Sequence, residues 1–128
     1  MVKADGPGSS KAAGDAAESL ALQYLQRQGL VLVSRNYHVA GGPHARGGEV
    51  DLIVRDASGT LIFVEVRSRA GASHGGASAS VTSRKQQRVV LAARHFLLRY
   101  REHPPCRFDV VAIDAGRLQW IQAAFDAA

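Results

Sequence analysis

One hairpin constrains this chain more than any other feature. EVDLIVR (Glu49–Arg55) and TLIFVEVRS (Thr60–Ser68) are β-branched runs separated only by Asp56-Ala57-Ser58-Gly59, which predicts two antiparallel strands. Strand side chains alternate faces. Glu49, Asp51 and Ile53 are therefore expected on one face, and Val50, Leu52 and Val54 on the other. Register decides whether the acids of the two strands meet. A three-residue loop with Gly59 in the left-handed position pairs Asp56 with Thr60. Asp51 then falls opposite Glu65, and Glu49 opposite Arg67. A two-residue loop shifts the pairing by one residue and separates the carboxylates. Gly59 favours the first arrangement.

Facing carboxylates repel, and a cation between them relieves this. Asp and Glu oxygens suit Mg²⁺ or Mn²⁺, with water and substrate phosphate filling the remaining positions. Such an ion activates water and stabilises charge on a phosphodiester. Arg67 shares a face with Glu65, so two candidate metal ligands and a phosphate-stabilising cation come together. The plainer reading is a cross-strand ion pair, Glu49 with Arg67, on a solvated face.

The rest of the chain predicts an α/β fold. A helix is expected from about Asp15 to Gln28, stopped by Gly29. Ala17, Leu20, Ala21, Leu22, Tyr24 and Leu25 form its apolar arc. Glu18 lies inside that arc, read either as a functional carboxylate or as the far half of a capping box with Asp15. Residues 1–13 read as a disordered arm, and 14–128 as a single domain. Leu30–Val39 is a strand, Ala40–Gly48 a loop, and residues 69–80 a Gly/Ser/Ala loop that contains His74. A second helix is expected from about Thr82 to Glu102, with Val89, Val90, Ala93, Phe96, Leu97 and Tyr100 as its buried stripe. Gln86 points into that arc, either towards the candidate metal site or as a polar residue at a frayed end. Strands at Arg107–Ile113 and Leu118–Ala124 complete the order α-β-β-β-α-β-β. One mixed sheet of about five strands flanked by helices fits it.

Charge narrows the partners. Sixteen Lys and Arg against eleven Asp and Glu give +5 and a pI near 10.0. Between Val66 and Tyr100 there is no acidic residue, while Arg67, Arg69, Arg84, Lys85, Arg88, Arg94 and Arg99 all fall there. A field of one sign favours polyanions; a solvated basic helix face is the alternative. One cysteine, Cys106, excludes an internal disulfide and a thiolate zinc knuckle. No signal-peptide pattern or membrane-length apolar run is seen, so a cytoplasmic protein is expected.

GDAAESLALQYLQRQGLVLVSRNY, GGEVDLIVRD, LIFVEVRSR, ASVTSRKQQRVV with ARHFL, and CRFDVVAID resemble the bacterial YraN-like uncharacterised family, over about Gly14 to Phe125. That family looks like a member of the restriction-endonuclease-like superfamily with the PD-(D/E)xK signature, similar to archaeal Holliday-junction resolvases. The resemblance implies a restriction-endonuclease-like fold and a Mg²⁺- or Mn²⁺-dependent endonuclease acting on DNA, branched DNA by analogy. It implies Asp51 and Glu65 as metal ligands, with the Val66 carbonyl and Glu18 as further ones. Arg67 stands where the signature has lysine, Lys85 and Gln86 match the Lys-Gln pair of the following helix, and a homodimer is implied. Arg69, Arg84, Lys85 and Arg88 are expected along the nucleic-acid backbone. Val50 stands where the signature has proline. Arginine does not deprotonate in a protein, so Arg67 is expected to stabilise phosphate rather than act as a base. The alternative is a non-catalytic module that keeps the fold and binds nucleic acid or a repair partner.

Overall fold

The computed structural model describes residues 7–43, 46–69 and 81–127. Its elements are α1 (Pro7–Arg27), β1 (Val31–Val39), β2 (Gly48–Arg55), β3 (Leu61–Arg69), α2 (Ser83–Leu97), β4 (Cys106–Asp114) and β5 (Arg117–Phe125). The five strands form one mixed sheet in the order β1-β2-β3-β4-β5. All neighbours are antiparallel except β3 and β4, which run parallel and are joined through α2. This is the α/β architecture and element order expected from the sequence.

Two helix limits differ from expectation. α1 begins at Pro7 rather than near Asp15, so it takes in residues 7–13 of the segment 1–13 that is expected as a disordered arm. Proline is tolerated in a first helical turn, and the Lys-Ala-Ala that follows Ser9 and Ser10 propagates a helix well. Asp15 is therefore interior, and the capping box with Glu18 does not form. α2 stops at Leu97 rather than near Glu102. There the chain tightens into i→i−3 turns, with the amides of Leu98, Arg99 and Tyr100 bonded to the carbonyls of His95, Phe96 and Leu97.

α1 packs on one face of the sheet through Ala17, Ala21 and Leu25, one helical turn apart, against Leu52, Val54, Ile62, Val64, Val66, Val111 and Ile113. Leu20, placed in the apolar arc by the helical wheel, is 54% exposed; α1 touches the sheet along a narrower seam than the wheel suggests. α2 covers the other face. Val89, Ala92, Ala93, Phe96 and Leu97 meet Ile53, Leu61, Phe63 and Phe108. Among the described residues no helix is long and apolar enough to cross a membrane.

The hairpin register is the one that joins the acids. Leu52 pairs with Val64, Ile53 with Phe63, Val54 with Ile62 and Arg55 with Leu61, which sets Asp51 opposite Glu65. Gly59 takes φ +93°, the left-handed position. Asp56 Oδ1 accepts the amides of Ser58 and Thr60, both at 3.0 Å, and so fixes the turn. Strict alternation does not hold along β2, however. Val50 packs with Ile53 on the α2 side, whereas Leu52 packs on the α1 side. The break falls at Asp51. Across the ladder to β1, Asn36 lies at the matching position with φ +56°, between the pairs Arg35–Leu52 and Tyr37–Val50. A left-handed non-glycine residue within a strand kinks it locally.

Candidate metal and phosphate site

β2 and β3 cease to pair beyond Leu52 and Val64. Their separation opens a cleft of about 580 Å³ between the strand ends, α1 and the start of α2. Glu18 from α1, Glu49 and Asp51 from β2, Glu65, Val66, Arg67 and Arg69 from β3, and Lys85 from α2 line it. Most of the sequence-predicted site residues therefore converge on one concavity.

Asp51 and Glu65 form its centre. Their carboxyl groups are in hydrogen-bond contact with each other. Asp51 Oδ2 also accepts the Val66 amide at 2.8 Å, in place of a ladder bond between the parted strands. Burial and the neighbouring Glu65 charge push the Asp51 carboxyl up from 3.8 to about 7, against the Val66 hydrogen bond that favours its ionised form. Glu65, only 6% exposed, is also raised, chiefly by burial. Contact with Asp51, together with Arg67 and Lys85, opposes that rise. The pair thus shares a proton near neutrality.

Arg67 Nη1 lies 3.3 Å from Glu65 Oε2. The cross-strand pair of Glu49 with Arg67 does not form. Glu49 Oε1 instead accepts from Arg88 Nη2 at 2.8 Å, because the parting of the strands carries Glu49 towards α2. Glu18 lies 3.4 Å from Arg35 Nε. The same guanidinium donates from Nη2 to the Asp15 carbonyl at 3.0 Å and to Ser19 Oγ at 3.1 Å. Burial and the Asp51 charge raise the Glu18 carboxyl, while Arg35 and the Asn36 side chain oppose them.

Gln86 does not line the cleft. Its Nε2 donates to the Val81 carbonyl at 3.2 Å, so it faces the other side of the α2 start. Arg84 and Arg88 line an adjoining groove. His74 lies outside the described residues. Sequence reasoning missed Arg35, whose role depends on β1 lying beside α1, and Asn36, whose left-handed backbone carries no strong sequence signal.

Among the described residues no three His, Cys, Asp or Glu side chains are arranged as a preformed cage for an ion. The donor chemistry nevertheless fits Mg²⁺ or Mn²⁺. Two touching carboxylates sharing a proton supply hard oxygen ligands and an unmet negative charge, and such ions are commonly held by one or two carboxylates plus water and phosphate.

The model of the uncharacterised protein family UPF0102 matches residues 17–113, which include Glu18, Asp51, Glu65 and Lys85. The chain belongs to that family. A UPF0102 protein of Methylibium petroleiphilum is 62% identical over 119 residues, spanning 93% of this chain and 98% of the relative. One from Albidiferax ferrireducens is 59% identical over 120 residues, 94% and 91% of the two chains. One from a Polaromonas species is 52% identical over 128 residues, 93% and 84%. No solved structure matches the chain. In this UPF0102 protein the matched segment spans β1 to β4 and most of α1, so it carries both carboxylates and the elements that bring them together.

Proposed function

We propose that the protein is a metal-dependent nuclease-fold protein acting on nucleic-acid phosphodiesters, with DNA as the substrate. The observation that carries this reading is the contact of two carboxylates, the half-buried Asp51 and the buried Glu65, in an open cleft that also holds Arg67 and Lys85. Such a repulsive pair burdens the fold and suits a site that gathers cations and phosphate. The element order and the placing of the acids on neighbouring strands are consistent with a PD-(D/E)xK-like nuclease.

Asp51 and Glu65 would hold Mg²⁺ or Mn²⁺, with the Val66 carbonyl and Glu18 as further donors. When bound, such an ion supplies activation of water and neutralisation of phosphate charge. Arg67, oriented by Glu65, would stabilise the charge that develops on the phosphoryl oxygens. It stays protonated and so takes no proton. Glu18, raised by burial and steadied by Arg35, would orient the attacking water. Lys85 adds a second cation at the cleft wall, and Arg69, Arg84 and Arg88 would contact the backbone on either side. Gln86, bonded to Val81, would act only by positioning the start of α2.

Purified protein with Mn²⁺ and end-labelled linear and branched DNA tests this. Cutting should fall at least about a hundredfold in Asp51→Ala, Glu65→Ala and Arg67→Ala, and Arg67→Lys should retain it. Cutting that persists in Asp51→Ala overturns the assignment. Arg67 in the signature's lysine position favours a second reading, a module that binds nucleic acid without cutting it. Salt-sensitive binding with no cleavage in any of these assays selects that reading.

A further inference from the structure

The first turns of α2 divide two concavities. Lys85 faces the acidic cleft. Arg84 and Arg88, one turn apart on a common helix face, line a separate groove of about 430 Å³ with Arg46, Gly47, Gln87 and Leu91. The described residues lining this groove include three guanidinium groups and no carboxylate. The first turn of α2 also lacks an acidic residue, so the positive end of the helix dipole adds to their potential.

The three arginines are held together by the fold. The segment before β2 runs so close to α2 that a Cβ at Gly48 would lie 2.6 Å from the Arg88 carbonyl and 2.9 Å from the Ala92 amide. This contact fixes Arg46 beside α2. Like charges four residues apart on a helix repel, and here a third cation is brought up to them from a different segment. Arginine is also the side chain best matched to phosphate oxygens, which it can bind bidentately. The groove is tied to the acidic cleft by one ion pair. Glu49, which lines the cleft, bonds Arg88, which lines the groove, at 2.8 Å.

We propose that this groove is a second phosphodiester-binding subsite, in which Arg46, Arg84 and Arg88 hold a phosphate of the strand whose reacting phosphate occupies the acidic cleft. Glu49 competes with that phosphate for Arg88 and so lowers the affinity. The inference rests on the nucleic-acid reading above and deepens it. It sets the course of the strand across the Glu49–Arg88 ridge and gives Glu49 a restraining role.

The test is fluorescence anisotropy with labelled single- and double-stranded oligonucleotides in chelator, across a salt series, with Mn²⁺ calorimetry on the same proteins. Arg46→Ala/Arg84→Ala should bind at least about tenfold more weakly, and its log–log salt slope should be shallower by about two. Its Mn²⁺ binding should match the parent. Arg84→Glu, at an exposed position, should show a larger loss. Glu49→Gln should bind several-fold more tightly than the parent. Unchanged affinity and slope in Arg46→Ala/Arg84→Ala, or weaker binding by Glu49→Gln, overturns the subsite. Failure of the parent to bind Mn²⁺, with the arginine variants still losing affinity, supports the subsite and overturns the metal-dependent reading instead.

Discussion

Asp51 accepts the backbone amide of Val66 at 2.8 Å and so joins β2 to β3 where their ladder has already ended. One carboxylate therefore serves two ends. It satisfies an amide left over by the parting of the strands, and it stands against Glu65 in the cleft. The first role explains why the group is retained in a half-buried place. The second explains why its ionisation is held back.

Stability should fall as pH rises through that ionisation. The Asp51 carboxyl is raised from 3.8 to about 7 in the folded protein, so the folded state binds more protons than the unfolded chain between those values. The resulting stabilisation is complete below about pH 4 and is lost as pH climbs to about 7, by an amount on the order of a few kcal/mol. Urea unfolding at pH 5 and pH 8 measures it. Asp51→Asn keeps an oxygen for the Val66 amide and removes the repulsion, so it should be more stable than the parent at pH 8 and show a flatter pH profile. An Asp51→Asn protein that is less stable than the parent at pH 8 contradicts this.

Mn²⁺ binding should release protons. A shared proton between Asp51 and Glu65 must leave when both oxygens take up a cation. Calorimetry at pH 6.5 in buffers of different ionisation enthalpy should show about one proton released per ion. Saturation at about a hundred times Kd should stabilise the fold by about 2.7 kcal/mol, and chelator should reverse the gain. In Glu65→Ala both signals should vanish.

Asp109 should be the costliest acid to replace. It is fully buried in β4 and accepts from Arg107 Nε at 3.0 Å, Trp120 Nε1 at 2.9 Å and the Ala123 amide at 2.9 Å. Asp109→Ala strands all three donors and should cost about 3–5 kcal/mol in chemical denaturation. Its effect on Mn²⁺ affinity should be small, since the group lies away from the cleft lining.

Gly48→Ala should destabilise without touching the chemistry directly. The added methyl meets backbone atoms of Arg88 and Ala92 that have no rotamer by which to yield. A loss of about 1–3 kcal/mol is expected, with a weaker grip on nucleic acid as α2 is pushed outward. Thermal unfolding and anisotropy on one preparation check both.

What was legible in the sequence was what local chemistry decides. Asp56, Ser58 and Gly59 specify a turn within five residues, and that turn sets the register that brings Asp51 to Glu65. The element order followed from periodicity for the same reason. The failures lie where distant segments decide. Glu49 chose Arg88 over Arg67 because of how α2 lies, and Arg35 reached Glu18 because β1 runs beside α1. Asp109 carries no signal of its own within the strand expected over Arg107–Ile113. Its partners Trp120 and Ala123 arrive from β5, and nothing nearby in sequence announces them. The longer α1 was missed because glycine and serine near its start mask a stretch that the helix still accommodates.

Both outer strands of the sheet are irregular. β1 carries a register shift between Leu32 and Ser34, and β5 has Ala123 at φ +51° beside the shift between Phe108 and Val110. A straight border with free amides and carbonyls invites another molecule to zip onto it. These interruptions deny a newcomer the long, even run it would need. Copies of this chain are thereby guarded against joining edge to edge into fibrils.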